Sequence, residues 1–130
     1  MREILFRGKS IEDNKWVYGD LIREKKSFGK ICTRIYRTTN NGWELIDVDS
    51  KAVGQYTGLN DKNGTKIFEG DICSFCNTDG GLTNYEVLWF GRKWVVREAS
   101  SNVVDNLDLS FCEYSVAIGN IYDNPELLEE

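Results

Sequence analysis

The sequence contains no histidine, a single proline, and no apolar run approaching the roughly 20 residues that span a bilayer. Without histidine, hydroxyl or thiol nucleophiles activated by an imidazole base are excluded, as are zinc sites built on histidine pairs. No glycine-rich phosphate loop is present either. Near the start, Ile4-Leu5-Phe6 is the only apolar stretch before charge returns at Arg7, too short for the core of a signal peptide. The expectation is a cytoplasmic protein with no membrane partner, whose four cysteines (Cys32, Cys73, Cys76, Cys112) are thiols.

What is present reads as a small β protein. Hydrophobic residues at 41% and charged residues at 28% suit a folded chain. At 130 residues there is room for one domain or two very small lobes. Aromatic and β-branched residues recur in short runs separated by Gly, Asn and Asp. These predict strands near Ile4–Arg7, Trp16–Ile22, Ile31–Arg37, Trp43–Val48, Ile72–Phe75, Tyr85–Trp89, Trp94–Glu98 and Ser115–Ile118. Asn41-Gly42, Asn63-Gly64 and Asp79-Gly80 supply the positive φ of tight turns, and Phe90-Gly91-Arg92 predicts a slightly longer hairpin. A short helix is expected only at the end, with Asn124 as its cap and Pro125 at its first position. Leu127 and Leu128 would then tuck against the sheet.

The net charge of −5 argues against a protein that coats nucleic acid by charge alone. The balance is uneven: residues 1–37 carry ten Lys/Arg against five Asp/Glu, and residues 38–130 six against sixteen. Oppositely charged portions can attract within a chain or between copies, although solvated faces are the plainer and favoured reading of the pattern.

Three constellations suggest chemistry, and each has a plainer reading. Cys73-Ser74-Phe75-Cys76 has the spacing of half a zinc site, but Cys32 and Cys112 are isolated, and inert buried thiols are the expectation. Glu69 and Asp71 stand two apart in an extended stretch and could share a magnesium ion, yet glycine beside isolated acids reads as a solvated turn. Trp89, Arg92, Lys93, Trp94 and Arg97 interleave rings and cations around one hairpin, as single-strand nucleic acid binders do. The same tryptophans fall where a small β core needs bulk.

Three segments carry a family pattern: Gln55-Tyr56-Thr57-Gly58-Leu59-Asn60-Asp61-Lys62-Asn63-Gly64, Ile67-Phe68-Glu69-Gly70-Asp71-Ile72, and the run from Ile118-Gly119-Asn120 to Leu128. With Arg2–Lys9 and Trp16–Asp20, they make the chain resemble the YopX-like family of phage and prophage proteins over essentially its whole length. The resemblance implies a β protein with an SH3-type barrel in its C-terminal part and no assigned activity or catalytic residues. Physically, Gly58, Gly64 and Gly70 would supply unusual backbone angles in that motif, while Tyr56, Leu59 and Ile67 would fill the core.

The sequence thus predicts an all-β chain with an N-terminal β lobe over residues 1–54 and an SH3-type barrel over 55–130, ending in a short helix. It is not expected to be an enzyme, and no catalytic, cofactor-binding or metal residue is assigned. The partner is expected to be a host or phage protein, or a second copy of the chain. Single-stranded nucleic acid bound through the Trp89–Arg97 hairpin is the alternative.

Overall fold

The computed structural model describes residues 3–129 and is mostly β, as the residue pattern requires. Among the described residues, ten strands form two five-stranded sheets. By contact the chain divides into two compact units, one ending at Tyr56 and the other beginning at Thr57.

The first unit contains β1 (Phe6–Ser10), β2 (Trp16–Lys25), β3 (Ile31–Thr39) and most of β4 (Gly42–Asn60). Alternation sends Val17, Ile35 and Val48 inward, where they are nearly fully buried and pack with Phe6, Leu21, Ile46 and Val53. Burying each such side chain contributes about 1.5–3 kcal/mol. Strand β4 was expected to end at Val48 but runs far beyond it. It pairs with β3 from Gly42 to Asp47, then with β1 from Val48 to Gln55, where β1 bulges between Gly8 and Ser10. Because β1 also pairs with β2, and β2 with β3, the four strands make a closed circuit of pairings.

The second unit takes the end of β4 with β5 (Lys66–Phe68), and a sheet ordered β10-β6-β7-β8-β9. Its strands are β6 (Asp71–Cys76), β7 (Leu82–Phe90), β8 (Lys93–Glu98), β9 (Val104–Asn106) and β10 (Ser115–Asn120). Among the described residues the sheet's pairings run from β10 to β9 without closing, so the expected SH3-type barrel is not confirmed. Ile67, Cys73, Val87, Val96, Leu107, Phe111 and Cys112 form the core.

One helix was not foreseen. Helix α1 (Leu109–Glu113) starts where the Asp108 carboxylate accepts the Phe111 N–H at 2.9 Å. Its Phe111 ring stacks on Phe75 at 5.2 Å and meets Tyr85 edge-on at 5.3 Å, which seats the helix on the sheet. The expected terminal helix is a single 3-10 turn over Pro125–Leu128, and Asn124 gives it no side-chain cap. The Asn124 Oδ1 instead accepts the Asn120 N–H at 3.3 Å. Leu127 is held to β7 through its carbonyl, which accepts from Asn84 Nδ2 at 2.9 Å. The Phe90–Lys93 connection is tighter than expected: Phe90 pairs directly with Lys93, and Gly91 and Arg92 have φ of +62° and +66°, a two-residue turn. Among the described residues no helix is long and apolar enough to cross a membrane.

Candidate interaction surfaces

The motif segments build scaffold. Asp61 is 6% exposed, and its carboxylate accepts the N–H groups of Asn63, Thr65 and Ala117, each at 2.9 Å. It therefore closes its own turn and fastens that turn to β10, fifty-six residues on. The Thr57 hydroxyl donates to the Ile67 carbonyl at 2.8 Å, tying β4 to β5. Gly70, at φ +91°, donates to the Val87 carbonyl and accepts from the Ile121 N–H, both at 2.9 Å. The Asn120 Oδ1 accepts from the N–H groups of Tyr122 and Asp123. The expected positive φ recurs at Gly58 and Gly64, Tyr56 and Ile67 are buried, and Leu59 packs against the core. These residues are occupied in holding strands together.

The acid and thiol constellations resolve in the same direction. Asp71 is 5% exposed, and its Oδ2 accepts the Phe68 N–H at 2.7 Å across the β5–β6 turn, so it is a buried turn lock and not the solvated residue expected. Cys73 and Cys76 lie three apart on β6, which places their side chains on opposite faces. Cys73 is buried in the core and Cys76 is exposed; Cys112 is buried and Cys32 half-buried. Inert burial therefore describes two of the four thiols. Burial, reinforced by Asp108, pushes the Cys112 thiol up to about 11, and burial pushes Cys73 higher still. Among the described residues no three His, Cys, Asp or Glu side chains are grouped to hold a metal.

The β7–β8 hairpin separates what the sequence interleaves. Trp89 and Trp94 are directly opposite and project to the face of Val87 and Val96, their rings meeting edge-on at 4.9 Å. Trp94 packs against the core, while Trp89 is 52% exposed. Phe90, Lys93 and Arg97 project to the other face. Arg97 is bonded there to Glu86 at 2.6 Å. The tryptophan pair and the strand cations thus occupy different faces, and Arg92 stands in the turn.

A second aromatic surface lies on the first unit and was not singled out from the sequence. On β2, β3 and β4 the positions alternating with the core are Tyr18 and Asp20, Tyr36, and Trp43 and Leu45. Tyr36 stands across from both Asp20 and Leu45 and stacks on Trp43 with centroids 5.9 Å apart and planes at 29°. Trp43 is 63% exposed and Tyr18 45%. Tyr18, Asp20 and Tyr36 line a shallow pocket of about 320 Å³ with Arg37 and Thr38. On the same face Arg34 bridges Glu24 and Asp47 at 3.3 and 3.0 Å. The available signal was the period-two spacing of Tyr18-x-Asp20 and Trp43-x-Leu45 around buried Val17 and partly buried Ile46.

Residues 5–129 match the family model described as YopX protein. Two solved structures align over nearly the whole of this chain and the whole of their own. Protein EF1440 from Enterococcus faecalis aligns over 99% of this chain and 100% of its own, with 22% identity and a TM-score of 0.57. Protein yopX from Bacillus subtilis aligns over the same shares, with 22% identity and a TM-score of 0.58. At that identity the likeness concerns the fold. No curated protein matches the chain.

Proposed function

The chain belongs to the YopX family, and from that premise we propose that it is a non-enzymatic phage or prophage accessory protein. It acts in the host cytoplasm by binding another protein, or a second copy of itself, through exposed faces of its β units. The observation that carries this reading is the Tyr18–Tyr36–Trp43 surface: two exposed rings, Tyr18 and Trp43, with half-buried Tyr36, on a sheet whose other face holds the core. Aromatic side chains are enriched where proteins meet, and rings that no core needs are the natural anchors of such a contact. The charge balance supports association between copies. The unit ending at Tyr56 carries eleven Lys/Arg against eight Asp/Glu, and the unit from Thr57 carries five against thirteen.

The test is capture of partners from host lysate with the tagged full-length chain, with and without nuclease, in parent and Trp43→Ala forms. A protein retained after digestion by the parent, and lost with Trp43→Ala, supports the reading. Recovery of nucleic acid, with partners lost on digestion, would move the function to the hairpin. Trp89 and Phe90, exposed beside Arg92 and Lys93, favour that second reading. It requires affinity that falls steeply with salt and with Arg92 replaced.

A further inference from the structure

The Tyr18–Trp43 face has a chemistry that selects among partners. We propose that it is a docking site for a proline-rich segment carrying arginine or lysine, held as a polyproline II helix and supplied by another protein. The inference rests on the interaction-module reading above and specifies its ligand.

Three observations converge. The first is the ring geometry. Tyr36 and Trp43 stack on each other at 29° and 5.9 Å, and Tyr36 and Tyr18 together line a shallow cleft on the same face. Proline rings fit such clefts. A polyproline II segment is also ordered before binding, so a shallow pocket of about 320 Å³ suffices to hold it.

The second is hydrogen bonding. The carbonyls of a polyproline II backbone have no internal partners and need donors. The Tyr36 hydroxyl and the Trp43 indole N–H make no hydrogen bond among the described residues, and both stand at the rim of their rings. They are available to the incoming chain.

The third is charge. Asp20 is exposed beside Tyr36 with no ion pair or hydrogen bond among the described residues. The cation that lines the same pocket, Arg37, is bonded to Glu44 at 2.5 Å. Farther along the face Arg34 is shared between two acids. The surface therefore presents an uncompensated carboxylate next to aromatic rings, which complements a guanidinium or ammonium and repels phosphate.

Other occupants fit less well. A sugar platform wants rings lying in one plane, whereas these rings stack against each other. A second copy cannot supply the segment, because Pro125 is the sole proline of the chain.

The experiment titrates the full-length protein with three synthetic peptides while following the indole N–H resonances of its four tryptophans by NMR. The probes are a proline-rich peptide bearing arginines, the same peptide with alanine for every proline, and the same peptide with glutamate for every arginine. Trp43→Phe identifies the resonance, and since Trp43 is exposed the variant keeps its fold. The expected result is a shift of the Trp43 signal by the first peptide alone. Trp43→Ala should weaken binding about tenfold or more, and Asp20→Asn should erase the discrimination between arginine and glutamate forms.

Equal binding of the alanine peptide would overturn the proposal, as would shifts confined to Trp89 and Trp94. So would a Trp43 shift produced by cellohexaose and not by peptide. Failure here is separable from failure of the broader reading. A lysate partner that depends on Trp43 but lacks a proline-rich segment refutes this ligand and leaves the interaction module standing.

Discussion

Replacing Asp61 tests whether the motif segments act as a folding lock. Its carboxylate accepts three backbone N–H groups at 2.9 Å, two within its own turn and one from Ala117 on β10. Hydrogen bonds to a charged group are worth about 1.5–3 kcal/mol each, and removal leaves partly buried donors unpaired. Because the three are partly buried, the lower end applies, and Asp61→Ala should lose about 3–5 kcal/mol. Asp61→Asn keeps the two bonds to Oδ1 but turns an amide N–H toward the Ala117 N–H, so it should lose about 1.5–3 kcal/mol. The assay is urea unfolding, combined with hydrogen exchange at the Ala117 amide, which reports on the C-terminal unit alone. A loss of stability under about 1 kcal/mol for the alanine variant, with unchanged protection at Ala117, would refute the lock.

Three further outcomes follow from the same geometry. A Cβ on Gly119 would stand 2.5 Å from Asn124 Oδ1 and 3.0 Å from Leu127 Cδ1. Gly119→Ala should therefore cost about 1–3 kcal/mol, and pairing it with Asn124→Ala should cost less than the sum of the two changes, measured as a double-mutant cycle. Arg92 holds φ +66° in a two-residue turn that suits glycine, so Arg92→Gly should raise the urea midpoint by the equivalent of about 0.5–1 kcal/mol; a lower midpoint would contradict the turn assignment. In thiol labelling under native conditions Cys76 should react first, while Cys73 and Cys112 should react only on unfolding. Their raised folded values also predict a pH dependence of stability. The contribution is complete below the ordinary thiol value of 9.0 and is lost as pH rises toward about 11, because the unfolded chain releases those protons first. Urea midpoints at pH 8 and pH 10 would reveal it, and equal midpoints would count against burial of these thiols.

Local chemistry determined much of this protein in advance. Positive φ is a property of a residue and its neighbours, so Gly64, Gly80 and Gly91 marked turns before any contact was known. Runs of β-branched and aromatic residues similarly located eight of the strands, and the absence of histidine removed whole classes of catalysis. Other features depended on partners that no local window contains. Strand β4 continues through Asp49, Ser50 and Lys51 because β3 supports its first half and β1 its second. Five-residue α1 is too short for periodicity; it exists because Asp108 caps it and Phe111 finds Phe75 and Tyr85. The tryptophans show the limit most directly. Sequence spacing gives which residues share a face, but only packing decides which face is core, and that choice half-buried Trp94 in one sheet and left Trp43 in water on the other.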